Sequence, residues 1–275
     1  MAPIFPYRFA GVHDDVAARK RLVPLEELKS RAHLNPPQRE VGDILARPGV
    51  AIIAELKGLI DVPEQTANAH LRSQIQHFVH GGASMLSGCA HPYDVAVAAT
   101  DFAFVRGLCE LPLVSRDIVV DPYQLHELRS YGVDMVTIRA SLLNDDHLTS
   151  LVERTRDLNM RALVEVETLD DACRAAQAGA EIIGVNARDT HNQTLHPERF
   201  AEIKPVIDAR VQMIALSGIS TVEDLIYYRR HGAAAASIGT ALHRDGFESS
   251  ERNLRRFVAA GVHPAFATMS EIPAD

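Results

Sequence analysis

The stretch Ala162-Leu-Val-Glu-Val-Glu-Thr-Leu-Asp-Asp-Ala-Cys-Arg-Ala-Ala176 decides the fold. Ala162, Leu163, Val164 and Val166 form a short apolar run with little alternation, the pattern of a strand covered on both faces. Thr168, followed by Asp170 and Asp171, puts a cap and negative charge at the start of a helix. One strand–turn–helix unit follows from these residues alone. Glu165 sits inside the apolar run. A carboxylate there is either paired or set at the open end of a strand, where chemistry is done.

The same unit recurs on both sides of this stretch. Val50-Ala-Ile-Ile-Ala-Glu-Leu-Lys57 is a strand of like character, followed by a helix over about Pro63 to Val79. Further apolar runs begin at Ser84, Leu111, Met135, Ile182, Val211 and Ala236. Gly82, Gly132, Gly179 and Gly232 each stand between a helical segment and a strand. Glycine is favoured there because the left-handed cap of a helix carries no Cβ penalty. Regular alternation of strands and helices implies parallel strands with helical crossovers. Eight such units in about 230 residues fit a closed (β/α)8 TIM barrel. No glycine-rich dinucleotide fingerprint follows the first strand, which counts against an open doubly wound sheet.

The barrel core is placed at 49–245, after an N-terminal helical extension at 1–48 and before a final helix and C-terminal tail at 246–275. Val16-Ala-Ala-Arg-Lys-Arg21 and Pro24-Leu-Glu-Glu-Leu-Lys-Ser-Arg-Ala32 read as helices, with Asn35-Pro-Pro37 as a breaker. The extension either packs over one end of the barrel or is a solvated arm. His77 and His80 share a helix face, and a solvated surface explains them better than a metal site.

With 275 residues, 47% of them apolar, the chain is long enough to bury one large core. A formal net charge of −8 argues against nucleic acid or an anionic membrane as partner. No apolar run reaches the ~18 residues of a membrane span, and the N-terminus has no apolar signal core. Cys89, Cys109 and Cys173 lack metal or redox spacing and suit small buried positions in a reducing cytoplasm. Nothing in the helical faces marks an oligomer, so a monomer or weak homo-oligomer is expected.

In a barrel of this kind, function gathers at the C-terminal ends of the strands. Those ends carry Glu55 and Lys57, Ser87 and Gly88, Ser115 and Arg116, Thr137 and Arg139, Glu165 and Glu167, Asn186 and Arg188, Leu216 with Ser217 and Gly218, and Gly239 with Thr240. Charge is concentrated at one rim. The small, glycine-bearing turns Ser217-Gly-Ile-Ser and Ile238-Gly-Thr240 suit a phosphate cradled by backbone N–H groups. A small anionic, phosphorylated molecule is therefore the expected ligand.

Glu55-Leu-Lys57, Arg116-Asp117 with Asp121-Pro-Tyr-Gln124, Leu163-Val-Glu-Val166, Gly184-Val-Asn-Ala-Arg-Asp189, Ser217-Gly-Ile-Ser-Thr221 and Ile238-Gly-Thr240 occur in order. Together they resemble the indole-3-glycerol phosphate synthase family of tryptophan biosynthesis, from about Val16 to Arg244. The resemblance implies a carbon–carbon lyase with no cofactor and no metal. Such an enzyme closes the indole ring of an anthranilate-derived 1-deoxyribulose 5-phosphate, with loss of CO2 and water. It places Glu165 at the general acid/base position. Lys57 takes the strand-1 lysine position, which contacts the substrate carboxylate and donates a proton. Glu55 orients Lys57, and Asn186 polarises the intermediate's oxygen. Arg188 lies near the substrate carboxylate or the catalytic carboxylates, and Ser217, Gly218, Gly239 and Thr240 fall on the phosphate and rim positions.

The pattern departs from the family at defined positions. Arg116 stands where the family has a lysine acid, and a guanidinium keeps its proton at ordinary pH, so it clamps an anion rather than donating. Leu216 replaces a glutamate. Gly58-Leu-Ile-Asp-Val62 replaces a Ser-Pro-Ser element, and Ser87-Gly-Cys-Ala90 lacks an acidic residue. Three readings stay open from sequence: the usual lyase, a diverged paralogue for another aryl or sugar phosphate, and a phosphosugar-binding barrel that no longer turns over its ligand.

Overall fold

The computed structural model describes residues 4–35, 38–59, 62–91 and 99–263, with side chains from residue 11 onward. Pro36 and Pro37 of the expected breaker, two residues of the loop after the first strand, and the tail beyond 263 lie outside the described residues.

Among the described residues, three helices precede the barrel: α1 (Ile4–Leu22), α2 (Leu25–Leu34) and α3 (Val41–Leu45). The alternating core follows as β1 (Ala51–Glu55), α4 (Glu64–Gly81), β2 (Met85–Gly88), α5 (Phe102–Arg106), β3 (Leu113–Ser115), α6 (Pro122–Ser130) and β4 (Met135–Arg139). Its second half is α7 (Asp145–Asp157), β5 (Arg161–Val166), α8 (Leu169–Gln177), β6 (Ile182–Asn186), α9 (Glu198–Ile203), β7 (Gln212–Leu216), α10 (Val222–Arg230), β8 (Ala235–Ile238) and α11 (Ser250–Val262). The strands close in the order β1 to β8, all pairs parallel. The (β/α)8 TIM barrel is thus the observed fold.

Local chemistry sets the boundaries. Thr168 accepts from Asp171 N at 3.1 Å and starts α8, and a capping box of Asp121 and Gln124 starts α6. Gly82, Gly132, Gly179 and Gly232 all sit in the left-handed region, with φ of 86°, 84°, 77° and 83°. At each a side chain would be strained, so each helix stops at its glycine.

Before the barrel, the extension divides its work. Val12 and Val16 of α1 and Leu28 of α2 pack with Ile118 and Tyr123, over the loop that follows β3. Val41 and Leu45 of α3 join Ile53, Met85, Val114 and Leu163, closing the other end of the barrel. These contacts seat helices of the extension against the barrel. At the C-terminal side, α11 packs on α4, α10 and β1 and takes the place of the eighth barrel helix. His77 departs from the solvated surface expected for it. Its ring is half-buried, 5.1 Å from that of Phe247, and its Nδ1 lies 3.1 Å from Ser250 Oγ, because α11 covers that face of α4. His80 is exposed.

Register determines what the barrel interior holds. Side chains on the face of Ile53, Val114, Leu163 and Ile214 point inward, as their shared apolar cluster shows. Moving one strand along the pairing and one residue forward gives Glu55, Gly88, Arg116, Ile138, Glu165, Val185, Leu216, Ile238 and back to Glu55. One layer across the lumen is therefore made by the odd strands: Glu55, Arg116, Glu165 and Leu216. The layer below it comes from the even strands and reads Ser87, Thr137, Gly184 and Ser237. The layer above, at the mouth, reads Cys89, Arg139, Asn186 and Gly239.

Candidate active site

The odd-strand layer alternates acid, base, acid and apolar around the lumen. Glu55 Oε1 accepts from Lys57 Nζ at 2.7 Å. Its other oxygen, Oε2, seats against Gly239, where any Cβ would overlap it. Gly239 is therefore required by the approach of Glu55, a packing reason added to its place in the expected cradle. The backbone of Lys57 is held from α4: its N–H donates to Gln74 Oε1 at 2.6 Å, and its carbonyl accepts from Gln74 Nε2 at 3.3 Å. His70 Nε2 also lies 3.1 Å from that carbonyl.

Arg116 stands between the two acids. Burial alone would lower its pKa, but Glu55 and then Glu165 outweigh burial and hold it above the ordinary guanidinium value. Burial would likewise raise the Glu55 carboxyl, yet Arg116 and Lys57 together hold it below the usual carboxylate range. Both groups are thus charged around neutrality. Arg116 has no proton to give, as its residue type implies.

Glu165 is 3% exposed. Its Oε1 accepts from Asn186 Nδ2 at 3.0 Å, and Arg139 Nε lies 3.6 Å from the same oxygen. Oε2 is buried with no hydrogen-bond partner, so one carboxylate oxygen is left for a reacting group. Asn186 is fixed in this orientation by Arg188, whose backbone N–H donates to Asn186 Oδ1 at 3.0 Å. The guanidinium of Arg188 is turned into its own loop, where Nη1 donates to Gln193 O at 3.1 Å. The structure thus brings Glu55, Lys57, Arg116, Glu165 and Asn186 together, and Arg188 joins them through its backbone.

Leu216 lies opposite Arg116 in the layer. Its Cδ1 would be 2.6 Å from a Cβ at Gly184, so the leucine leans into a notch that only glycine leaves open. In the layer beneath, Ser87 Oγ, Thr137 Oγ1 and Ser237 Oγ are all buried without a hydrogen-bond partner. A buried unsatisfied hydroxyl costs about 1–3 kcal/mol. Thr137→Val removes one at nearly constant shape and is expected to stabilise the fold by about 1–2 kcal/mol. Urea denaturation measures this; equal or lower stability for the valine variant would show that the hydroxyl has a bound partner.

Ser217 has a φ of 63° and Gly218 of 74°, two left-handed residues in succession at the end of β7. A left-handed serine is uncommon and marks a backbone held in an unusual course. Two N–H groups of that loop are already used, since Ser220 and Thr221 both donate to Asp224 Oδ2 at 2.8 Å. The expected cradle of Ser217, Gly218, Gly239 and Thr240 uses neither of these two N–H groups. On the opposite side, Asp117 ties down the loop after β2 by accepting from Ala90 N at 3.0 Å and His91 N at 2.7 Å.

The cysteines depart from the expectation of burial. Cys89 and Cys109 are half-buried and Cys173 is exposed, because Cys173 lies on the outward side of α8 and Cys89 stands in the mouth layer. Burial, with Asp117 adding to it, pushes the Cys89 thiol up to about 12. It is a neutral thiol at physiological pH and not a nucleophile. Three contacts escaped the sequence: Gln74 on Lys57, Arg139 on Glu165, and Asp117 on the β2 loop. The first and last join residues 17 and about 27 positions apart, and no local spacing encodes them. Arg139 was visible as a rim residue, but its partner follows only from the β4–β5 register, which pairs it with Glu165.

The fold is shared widely: N-acetylmannosamine-6-phosphate 2-epimerase from Clostridium perfringens aligns with a TM-score of 0.59 over 75% of this chain and 93% of that one, at 16% identity. At that identity the likeness is one of fold. Sequence comparison reaches further. The chain is 37% identical to an indole-3-glycerol phosphate synthase of Kineococcus radiotolerans over 93% of this chain and 95% of that protein. It is 37% identical to the one from Mycolicibacterium smegmatis over 93% of each. The family model described as indole-3-glycerol phosphate synthase matches residues 8–256. With the match running from α1 into α11, the chain belongs to the indole-3-glycerol phosphate synthase family.

Proposed function

We propose that the chain is a decarboxylating cyclase that closes the indole ring of an anthranilate-derived 1-deoxyribulose 5-phosphate, in tryptophan biosynthesis in the cytoplasm. The observation that carries this reading is the pairing of a lysine–glutamate couple, Lys57 with Glu55, and a buried glutamate–asparagine couple, Glu165 with Asn186, in one lumen with Arg116 between them.

The residue types match the steps. Ring closure turns the sugar ketone into a hydroxyl, so its oxygen must gain a proton. The ring carbon then loses its carboxylate as CO2. The new hydroxyl leaves as water, which needs an acid, and a carbon-bound proton must be taken by a base to complete the double bond. Lys57, held by Glu55 and Gln74, supplies the proton to the oxygen. Glu165 relays the proton of the dehydration through Oε2, the oxygen without a partner. Asn186 and Arg116 stabilise charge on the oxygen as it develops. Ser217, Gly218, Gly239 and Thr240 hold the phosphate, and Arg188 supports the site by fixing Asn186 through its backbone.

Incubation with 1-(o-carboxyphenylamino)-1-deoxyribulose 5-phosphate tests the proposal directly. Indole-type fluorescence is expected to rise with substrate consumed and to require no added metal. A chain that binds the compound and produces no fluorescence would overturn it.

A further inference from the structure

We infer that Arg199, on the helix behind the loop after β6, is the positioning residue that holds the Asn186–Glu165 couple in place, a role that rests on the cyclase reading above. The course of that loop brings it there. Arg188 and Leu195 form an antiparallel bridge, and His196 N donates to Ala187 O at 2.7 Å, so the chain doubles back and starts α9 beside Asn186. Phe200 and Ile203 fasten α9 to the core, and Arg199, next to Phe200, reaches the strand ends.

One guanidinium then spans two strands. Its Nη1 donates to the Asn186 carbonyl at 3.3 Å and lies 3.7 Å from Oε2 of Glu167, two residues beyond Glu165. Its Nη2 donates to Asp189 Oδ2 at 3.3 Å. Each acid in turn holds the loop. Glu167 Oε2 accepts from Thr190 N at 3.2 Å, and Asp189 Oδ1 accepts from His191 N at 2.8 Å and Asn192 N at 3.1 Å. Asn186 is thereby fixed at three atoms: its carbonyl by Arg199, its Oδ1 by Arg188 N and its Nδ2 against Glu165. The Arg199 side chain is 17% exposed, so its ion pairs escape much of the screening that weakens surface pairs. Without the guanidinium, Glu167 and Asp189 lose the cation they share, and their repulsion displaces the loop that carries Asn186. A displacement of about 1 Å at a reacting centre costs up to about 10²-fold in rate.

Arg199→Met is therefore expected to lower kcat and kcat/KM together by about 10–100-fold, with KM unchanged. Arg199→Lys keeps the charge without the planar fork and should recover part of the loss, which a merely structural role would not produce. In an Asn186→Ala background, Arg199→Met should lower kcat by no more than about twofold further, because its effect runs through Asn186. Should the methionine variant fail to fold, Arg199→Gln carries the same comparisons, since it also removes the shared cation. A second readout does not depend on turnover. In a chain labelled with 15N-asparagine, the side-chain amide resonance of Asn186 is assigned by its loss in Asn186→Ala. It should shift in Arg199→Met and return toward the parent position in Arg199→Lys. Parent kcat in Arg199→Met, an undiminished loss in the Asn186→Ala background, or an unmoved Asn186 resonance would each overturn the inference and leave the cyclase reading intact. An Arg199-dependent resonance in a chain that forms no indole product would sink the cyclase reading and leave the positioning role standing.

Discussion

Glu165→Gln is expected to lower kcat by about 10²–10⁴-fold, with the dissociation constant of an unreactive substrate analogue unchanged or slightly smaller. The substitution preserves shape. Gln keeps an oxygen to accept from Asn186 Nδ2, the contact now made at 3.0 Å. What it removes is the ability to carry a proton on the second oxygen, which has no partner in the folded chain. The charge change runs in the ligand's favour, since Arg116 and Arg139 lose a counter-charge and turn their fields toward an anionic substrate. A structural role for Glu165 would give the opposite pattern, with weaker binding and lower stability together. Single-turnover kinetics with parallel titration separates the two. Wild-type turnover in the glutamine variant would remove Glu165 from the chemistry.

The replacement of a lysine by Arg116 bears on the same experiment. Because the guanidinium is held charged by Glu55 and Glu165, the proposed reaction gives its proton transfers to Lys57 and Glu165. Leu216 fits this arrangement. A third carboxylate in the layer would compete with Glu55 and Glu165 for Arg116. A leucine leaning over Gly184 leaves the guanidinium shared between two acids and gives the lumen one apolar side.

The fold was legible because its signals are local. β5 runs from Arg161 to Val166, close to the apolar run that announced it, and four glycines marked helix ends that the backbone confirms by positive φ. Glu165 could be assigned to the rim because it stands at the open end of a strand in a barrel pattern; that its side chain enters the lumen follows from Leu163, two places earlier, lying in the inner cluster. The loops and side-chain partners were less legible, since they depend on register and on which helix covers which face. His77 looked solvated because nothing near it in sequence announces that Phe247 will pack against it. Arg188 looked like a ligand contact, but its guanidinium bends into its loop, a choice made by the course of residues 189–195. The helix α3 is too short for periodicity to reveal, though it closes the bottom of the barrel with Val41 and Leu45.

At that bottom end the largest stability effect is expected. Asp134, 1% exposed, precedes β4 and gathers three donors: Arg106 Nη2 at 2.7 Å, Leu113 N at 2.7 Å and Arg39 N at 2.8 Å. Two of these are backbone groups that fix the start of β3 and the segment leading to α3. The third is a buried guanidinium. Asp134→Ala removes all three acceptor contacts and leaves Arg106 charged and unpaired in the interior, a loss of about 3–5 kcal/mol. The melting temperature should fall by roughly 6–20 °C. Asp134→Asn retains one acceptor oxygen, enough for one of the two backbone donors, which bind different oxygens of the carboxylate, and should cost less. Arg106→Met combined with Asp134→Asn should recover part of the remaining loss by removing the stranded charge. Because Asp134 lies at the end of the barrel away from Glu165, kcat measured well below the melting transition should stay at the parent value in all three variants. A fall in kcat at constant folded fraction would mean that the two ends of the barrel are coupled. A loss under about 1 kcal/mol for Asp134→Ala would mean that the Arg106 pair is compensated by solvent and does not anchor the β3–β4 edge.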